Sequence, residues 1–356
     1  MIIKSLTLKN FRNHKNLTLQ FKKNLNIFTG PNAAGKTNIV EAIHYLSLAR
    51  SFRTSEDEEL ISKGSQQAEI QAICAEGELN RKIQIIISKN GKSAFINGKP
   101  ISRIIDLFNT TNVLLFEPDD VKMFRDTPSK RREFLDVNLC KKSKPYLDYS
   151  SKYKKVLRER NEILKSENVD KDLLDSTTEL LVKLSGPIVS YRQMYVKDIN
   201  DILNKITRAL TGEKGKLEII YKPFVEYGRD FTKQATEAFK RAEERDLHQK
   251  ATSIGVHRED FSIALNGRDI GQFGSQGENR IVALALKLSP YFLIEDKDKR
   301  PVVVLDDVMS ELDKPHQTRL INFLKKFEQV FITATELEVI DAAQYPIKKN
   351  EQKEVF

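Results

Sequence analysis

Gly30-Pro31-Asn32-Ala33-Ala34-Gly35-Lys36-Thr37 is the stretch from which the rest of the chain is read. Glycines at both ends let the backbone curl until successive N–H groups point at one anion. Lys36 can then reach the β- and γ-phosphates of a nucleotide, and the Thr37 hydroxyl can ligate Mg²⁺. Such a P-loop works only between a strand and a helix. Upstream, Leu25-Asn26-Ile27-Phe28 reads as a short strand. Downstream, Ile39, Val40, Ile43 and Leu46 recur at helical spacing, so Lys36 to Ala49 reads as a helix whose positive end faces the same anion. In this context the ligand expected is ATP, held by Gly30, Pro31, Asn32, Ala33, Ala34, Gly35, Lys36 and Thr37.

The loop needs an acidic partner, and Pro301-Val302-Val303-Val304-Leu305-Asp306-Asp307 supplies one. Four β-type residues lead to two carboxylates at a strand's C-terminal end, where ligands bind in such sheets. Asp306, with Thr37, is the expected Mg²⁺ ligand, and Asp307 the general base or water-positioning group. With Lys36 they form the expected catalytic set. Gly274-Ser275-Gln276-Gly277-Glu278 precedes a helix and reads either as an N-cap with a turn or as a second anion cradle. Ser310-Glu311-Leu312-Asp313 follows the carboxylate pair closely.

Working outward, the first residues alternate in the strand manner. Residues 68–101 alternate too, with hairpin turns at Asn90-Gly91 and Asn97-Gly98, and read as an antiparallel meander. Val113–Phe116 makes a further short strand. Residues 128–210 carry three amphipathic stripes, the second ended by Gly186-Pro187, and read as a helical subdomain. From Phe261 onward strand and helix alternate, which belongs to an α/β layer with parallel strands. The division expected is 1–120, 121–245 and 246–356.

The chain has 356 residues, enough for two or three domains, and 31% of them are charged. Apolar runs such as Ile83–Ile87 fall far short of the about 20 residues a bilayer needs, so no membrane partner is expected. The two cysteines, Cys74 and Cys140, lie apart, which argues against a disulfide framework or a zinc site and for a cytoplasmic protein. Basic residues outnumber acidic ones, 59 to 50. That excess suits either nucleic-acid binding or a lysine-rich soluble surface.

The order of P-loop, Ser275-Gln276-Gly277, Asp306-Asp307 and Ser310-Glu311-Leu312-Asp313 resembles the SMC-like branch of the ABC-type ATPases. Within that branch, several further segments resemble the RecF family. They are Leu6-Thr7-Leu8-Lys9-Asn10-Phe11-Arg12-Asn13-His14, Leu115-Phe116-Glu117-Pro118-Asp119-Asp120, Lys130-Arg131-Arg132-Glu133-Phe134-Leu135-Asp136 and Gly255-Val256-His257-Arg258-Glu259-Asp260. The resemblance implies an α/β fold: an ABC-type ATPase head, with a P-loop α/β layer plus an antiparallel β-meander, and an inserted helical subdomain. It implies an ATP-dependent homodimer in which Ser275 and Gly277 of one head meet the γ-phosphate held by the other. It also implies an ATP-gated clamp on duplex or gapped DNA, independent of sequence, that acts in repair and the SOS response alongside RecR to promote RecA loading.

Arg12 would touch the nucleotide phosphates by the same resemblance, or it is an ordinary arginine in a surface turn. Lys130, Arg131 and Arg132 read either as DNA-phosphate contacts or as the solvated start of a helix. His257-Arg258 reads as structural or interfacial. The chain departs from the pattern at Glu278, at Asp307 where most of these ATPases carry Glu, and at Thr333-Ala334-Thr335, which stand in place of a switch histidine. The shorter Asp307 implies slow hydrolysis. The alternatives are a transporter ATPase subunit driving a membrane partner, an SMC protein with long coiled-coil arms, and a small-molecule kinase. The absent switch histidine weighs against the first, the short helical insertion against the second, and Ser275-Gln276-Gly277 against the third.

Overall fold

The computed structural model describes residues 1–103, 106–107, 110–124, 128–213 and 215–348. It divides the chain into two units. The first comprises Met1–Asp120, Arg208–Gly212 and Leu284–Phe356, and the second Val121–Thr207 and Glu213–Ala283.

Two sheets build the first unit. One has six antiparallel strands in the order β2 (His14–Gln20), β1 (Ile2–Phe11), β4 (Gln67–Glu76), β5 (Leu79–Ser88), β6 (Gly91–Ile96), β7 (Lys99–Pro100). The other has five strands, β14 (Ala343–Pro346), β3 (Asn24–Thr29), β13 (Gln329–Ala334), β12 (Val302–Leu305) and β8 (Val113–Phe116), with every pairing parallel. The meander pattern reflects side chains that alternate between core and solvent. Along β5, Ile83, Ile85 and Ile87 are buried while Gln84 and Ile86 face outward. β12 is instead buried on both faces, as its unbroken valine run requires.

Helix α1 (Lys36–Leu48) packs against both sheets, on β8 and β13 from one and β1 and β4 from the other. Its residues from Ile39 to Ser47 are all buried, so it is a core helix enclosed nearly all round. Buried Gln329 stitches the layers together: its amide accepts from Ile3 N–H at 2.7 Å and donates to Ile3 C=O at 2.8 Å.

The second unit holds α2 (Pro128–Lys142), α3 (Lys144–Lys165), most of α4 (Lys171–Thr211), α5 (Phe231–Gln249) and the start of α6 (Gln276–Phe292). With them goes a three-stranded antiparallel sheet of β9 (Leu217–Lys222), β10 (Asp260–Leu265) and β11 (Arg268–Asp269). Three features depart from the sequence reading. β10 does not join the parallel layer: Asn266 (φ 52°) and Gly267 (φ 81°) turn it back on β11, and its other edge takes β9. The second unit therefore runs on to Ala283 instead of ending at 245. Gly186-Pro187 does not end a helix either. α4 continues for 41 residues with Pro187 inside it. A proline inside a helix costs about 3 kcal/mol, and the buried Leu181, Val182, Ile188, Val189 and Tyr195 on both sides of it offset that loss.

A buried polar network crosses this unit. Arg192 donates to Glu259 at 2.6 Å, Asp136 at 2.7 Å and the Val256 carbonyl at 2.7 Å. Glu259 also accepts from Tyr221 and from the Phe224 N–H. A second buried pair, Arg160–Asp246 at 2.9 Å, joins α3 to α5.

Candidate nucleotide site

β3 delivers the chain to Gly30, whose backbone N–H donates to the Thr335 carbonyl at 3.2 Å. Its φ is 143°, and a Cβ there would lie 2.2 Å from the Ile347 carbonyl oxygen, so only glycine fits. Gly35 has φ 103°, and a Cβ there would fall 2.6 Å from the Asn13 amide and 2.7 Å from His14 Nε2. The Asn13-His14 turn is a buttress under the loop. Asn13 donates to the Ala34 carbonyl at 3.1 Å and accepts from Asn38, and His14 Nε2 lies 3.1 Å from the Gly35 carbonyl. Burial lowers the His14 pKa, which favours the neutral ring.

Lys36 curls back over its own loop, donating to the Gly30 carbonyl at 2.6 Å and the Pro31 carbonyl at 2.9 Å. Desolvation lowers its pKa, and the charges of Asp307 and Asp306 oppose that. Asp306, at the end of β12, is 5% exposed. Its Oδ1 accepts from the Thr333 hydroxyl at 2.6 Å and from the Thr37 hydroxyl at 3.2 Å. Burial raises its pKa against those two hydrogen bonds. The structure thus brings Lys36, Thr37, Asp306 and Asp307 together, although 269 positions separate Thr37 from Asp306. Asp307 is exposed in a left-handed conformation (φ 48°), and its N–H is held by the Thr333 hydroxyl at 2.9 Å. Thr333 therefore orients both carboxylate residues.

The donor set suits Mg²⁺. Octahedral Mg²⁺ bonds oxygen at about 2.1 Å, which places adjacent ligands about 3 Å apart, and Thr37 Oγ1 and Asp306 Oδ1 are 3.2 Å apart. Among the described residues no cluster of three or more His, Cys, Asp or Glu side chains could hold a metal ion. The remaining positions of such an ion belong to phosphate oxygens and water.

Arg12 makes a bidentate pair with the fully buried Glu41, at 2.9 and 2.7 Å, and donates to the Glu59 carbonyl. Ser51 donates to Glu41 at 2.6 Å, and Arg53 reaches Glu41 at 3.4 Å and Asn38 at 2.8 Å. Arg53 is the outer guanidinium of this cluster, 43% exposed, and its charge opposes the rise of the Asp306 pKa. Sequence reasoning passed over Glu41 and Arg53, quoted Asn13 and His14 without a role, and noted Thr333 only within the Thr333-Ala334-Thr335 departure. The only signal for the first two is a carboxylate within an apolar helix and an Arg-Ser-Phe-Arg run just beyond it.

The second unit holds the other predicted residues. Ser275 and Glu278 form a capping box: Ser275 N–H donates to the Glu278 carboxylate at 2.8 Å, and Glu278 N–H to the Ser275 hydroxyl at 3.2 Å. These hydrogen bonds lower the Glu278 pKa. Space is open around Gly277, where a Cβ would meet nothing within 4 Å. Arg131 is bidentate to Asp260, at 2.7 and 2.8 Å, and Arg132 donates to the Glu259 carbonyl at 2.8 Å, so both are anchored within the unit. Lys130 is exposed. His257 is structural: Nδ1 lies 3.0 Å from the Tyr153 hydroxyl and Nε2 3.0 Å from the Thr252 carbonyl.

The family model described as the RecF/RecN/SMC N terminal domain matches residues 2–355. The chain belongs to the RecF family. It is 37% identical over 343 residues to the DNA replication and repair protein RecF of Lachnoclostridium phytofermentans, covering 95% of this chain and 94% of that one. To the RecF of Lactobacillus gasseri it is 34% identical over 351 residues, covering 96% and 94%. A solved structure of the recombination mediator protein RecF with ATP, from the RecFOR pathway, superposes with a TM-score of 0.88 at 31% identity, covering 98% of this chain and 97% of that one. The Smc head domain of Pyrococcus furiosus shares the fold at a TM-score of 0.58 and 18% identity, covering 94% and 89%. The RecF fold is thus an ABC-type head, α/β with a parallel and an antiparallel sheet and a helical insertion.

Proposed function

We propose that this chain is an ATP-binding DNA replication and repair protein of the RecF kind, working as an ATP-gated clamp on DNA. The observation that carries the reading is the convergence of Lys36, Thr37 and Asp306 beneath the glycine-bounded loop. A nucleotide phosphate with Mg²⁺ answers that combination of a lysine resting on backbone carbonyls and a buried carboxylate beside a glycine-bounded loop. The name shared by the RecF relatives and the ATP bound in the solved one support the same reading.

In the proposed cycle, Gly30–Thr37 hold ATP, Lys36 neutralises the β- and γ-phosphates, and Thr37 and Asp306 would hold Mg²⁺, which supplies charge to the leaving phosphates. Ser275 and Gly277 of a second copy complete the site, giving an ATP-dependent homodimer around duplex or gapped DNA. Exposed Asp307 positions water for a slow, DNA-stimulated hydrolysis that opens the dimer. Asp307 fits that slow role, since its backbone is fixed by Thr333 while its short side chain has little reach. Acting in the cytoplasm with RecR, the clamp would mark single-strand gaps for RecA loading in the SOS response. DNA contacts are assigned to backbone phosphates, at Lys130, Arg131 and Arg132.

Sedimentation and duplex-DNA binding, with and without ATP and Mg²⁺, test this for the wild type, Lys36→Arg and Ser275→Arg. Dimerisation and tighter DNA binding are expected of the wild type only, with ATP still bound by Ser275→Arg. An unchanged oligomeric state and DNA affinity on adding ATP to the wild type would overturn the clamp.

A further inference from the structure

Lys287, on the C-terminal half of α6, holds Asp120 with Nζ 2.5 Å from Oδ1. Both side chains are largely sheltered, 25% and 11% exposed, so the pair is less screened than a surface one. The other Asp120 oxygen accepts the Glu117 N–H at 3.0 Å, and Asp120 N–H donates to the Glu117 carbonyl at 3.0 Å. Asp120 is therefore rigidly mounted on the turn that ends β8.

That turn is bonded to the nucleotide site. The residue before Glu117 is Phe116, whose carbonyl accepts the Asp306 N–H at 2.9 Å. The same Asp306 accepts from the Thr37 hydroxyl. A continuous series of bonded groups thus leads from the P-loop hydroxyl through Asp306 and the end of β8 to Asp120 and Lys287. At its far end lies the helix that Ser275 caps. Asp120 is also the last residue of the first unit before the chain passes to the second, and α6 crosses between Ala283 and Leu284, one turn before Lys287. One ion pair therefore ties together two of the places where the chain changes unit.

We infer that Lys287 is a positioning residue: its grip on Asp120 ties α6 to the nucleotide site, so that ATP and Mg²⁺ at Asp306 set how Ser275 is presented to a second copy. The inference rests on the trans role of Ser275 proposed above. An ion pair serving stability alone would leave α6 indifferent to nucleotide.

The test uses the full chain with Lys287→Gln, Lys287→Arg and the charge-swapped Lys287→Glu/Asp120→Lys. Expected for Lys287→Gln is ATP affinity within twofold of wild type at monomeric concentration, with ATP-dependent dimerisation weakened at least tenfold. Lys287→Arg and the charge swap should restore most of it. Hydrogen exchange of residues 276–281 gives a second readout that needs no dimer. ATP should slow it in the monomeric wild type and leave it unchanged in Lys287→Gln. Wild-type dimerisation in Lys287→Gln overturns the inference, as does a loss of ATP affinity equal to the loss of dimerisation. If the wild type fails to dimerise, the clamp falls and exchange decides the coupling alone: ATP-slowed exchange confined to the wild type sustains it, and equal exchange in both chains overturns it.

Discussion

Asp306 and Glu259 are both buried carboxylates, yet they are held in opposite ways. Glu259, in the second unit, faces the Arg192 guanidinium and accepts further hydrogen bonds from Tyr221 and the Phe224 N–H. Asp306, in the first, has two hydroxyls for company, and burial lifts its pKa. Lys36 mirrors it, a cation resting on two backbone carbonyls. In the helical unit buried charge is neutralised internally and contributes order. At the P-loop the carboxylate is held by hydroxyls and the lysine by carbonyls, and the proposed Mg²⁺–nucleotide would bring opposite charge to each. A buried charge thus reports function by the absence of its counter-charge, and structure by its presence.

The contrast can be broken from either side. The largest effect is expected at Arg192→Leu, which leaves the buried Glu259 without its cation. Urea denaturation should show a loss of about 3–5 kcal/mol, and a change below about 1 kcal/mol would show that the network is not neutralised as described. Next comes acid. Burial pushes His257 down to about 4 from its ordinary 6.5. A histidine whose folded pKa lies below its unfolded one contributes stability that is complete above pH 6.5 and is lost as pH falls towards 4. That gap corresponds to about 3 kcal/mol, and in His257→Gln this part of the pH dependence should disappear.

Smaller effects should follow at the P-loop, and in the opposite pattern. Lys36→Ala should weaken ATP binding by about 1.5–3 kcal/mol, the usual worth of a charge-assisted contact, while its denaturation midpoint stays near wild type. A large stability loss there would show that Lys36 serves the fold. The smallest effect is at Asp306→Asn. Because burial raises the folded pKa of Asp306, the wild type loses stability as pH rises from the ordinary carboxylate range through that raised value. The asparagine variant escapes the loss, so it should melt slightly higher at pH 7, with the difference fading below about pH 4, and should lose its Mg²⁺-dependent nucleotide affinity.

The parts of the fold legible in the sequence were those with strong local periodicity. The valine run of β12, the Asn-Gly hairpins of the meander and the helix after the P-loop each carry their own pattern, and the structure has them. β10 was misassigned because a strand's period says nothing of which sheet receives it. Gly186-Pro187 was misread because local propensity argued for a break, whereas apolar packing on both sides of Pro187 carries α4 through it. At the site, Lys36, Thr37 and Asp306 were legible because their chemistry is tied to a spacing. Thr333, Asn13 and Glu41 were not, since a hydroxyl or amide that orients a neighbour has no signature until the neighbour is known.

The placement of β14 has a consequence for biosynthesis. β3, which feeds the P-loop, takes both its sheet neighbours from residues 329–346, and Gly30 is seated against the Ile347 carbonyl. Gln329 meets Ile3 across 326 positions of chain. A growing polypeptide therefore emerges from the ribosome with its glycine loop made long before the strands that flank β3, and contacts this distant in sequence form late. The parallel sheet around the P-loop is therefore complete only once translation has passed Ile347.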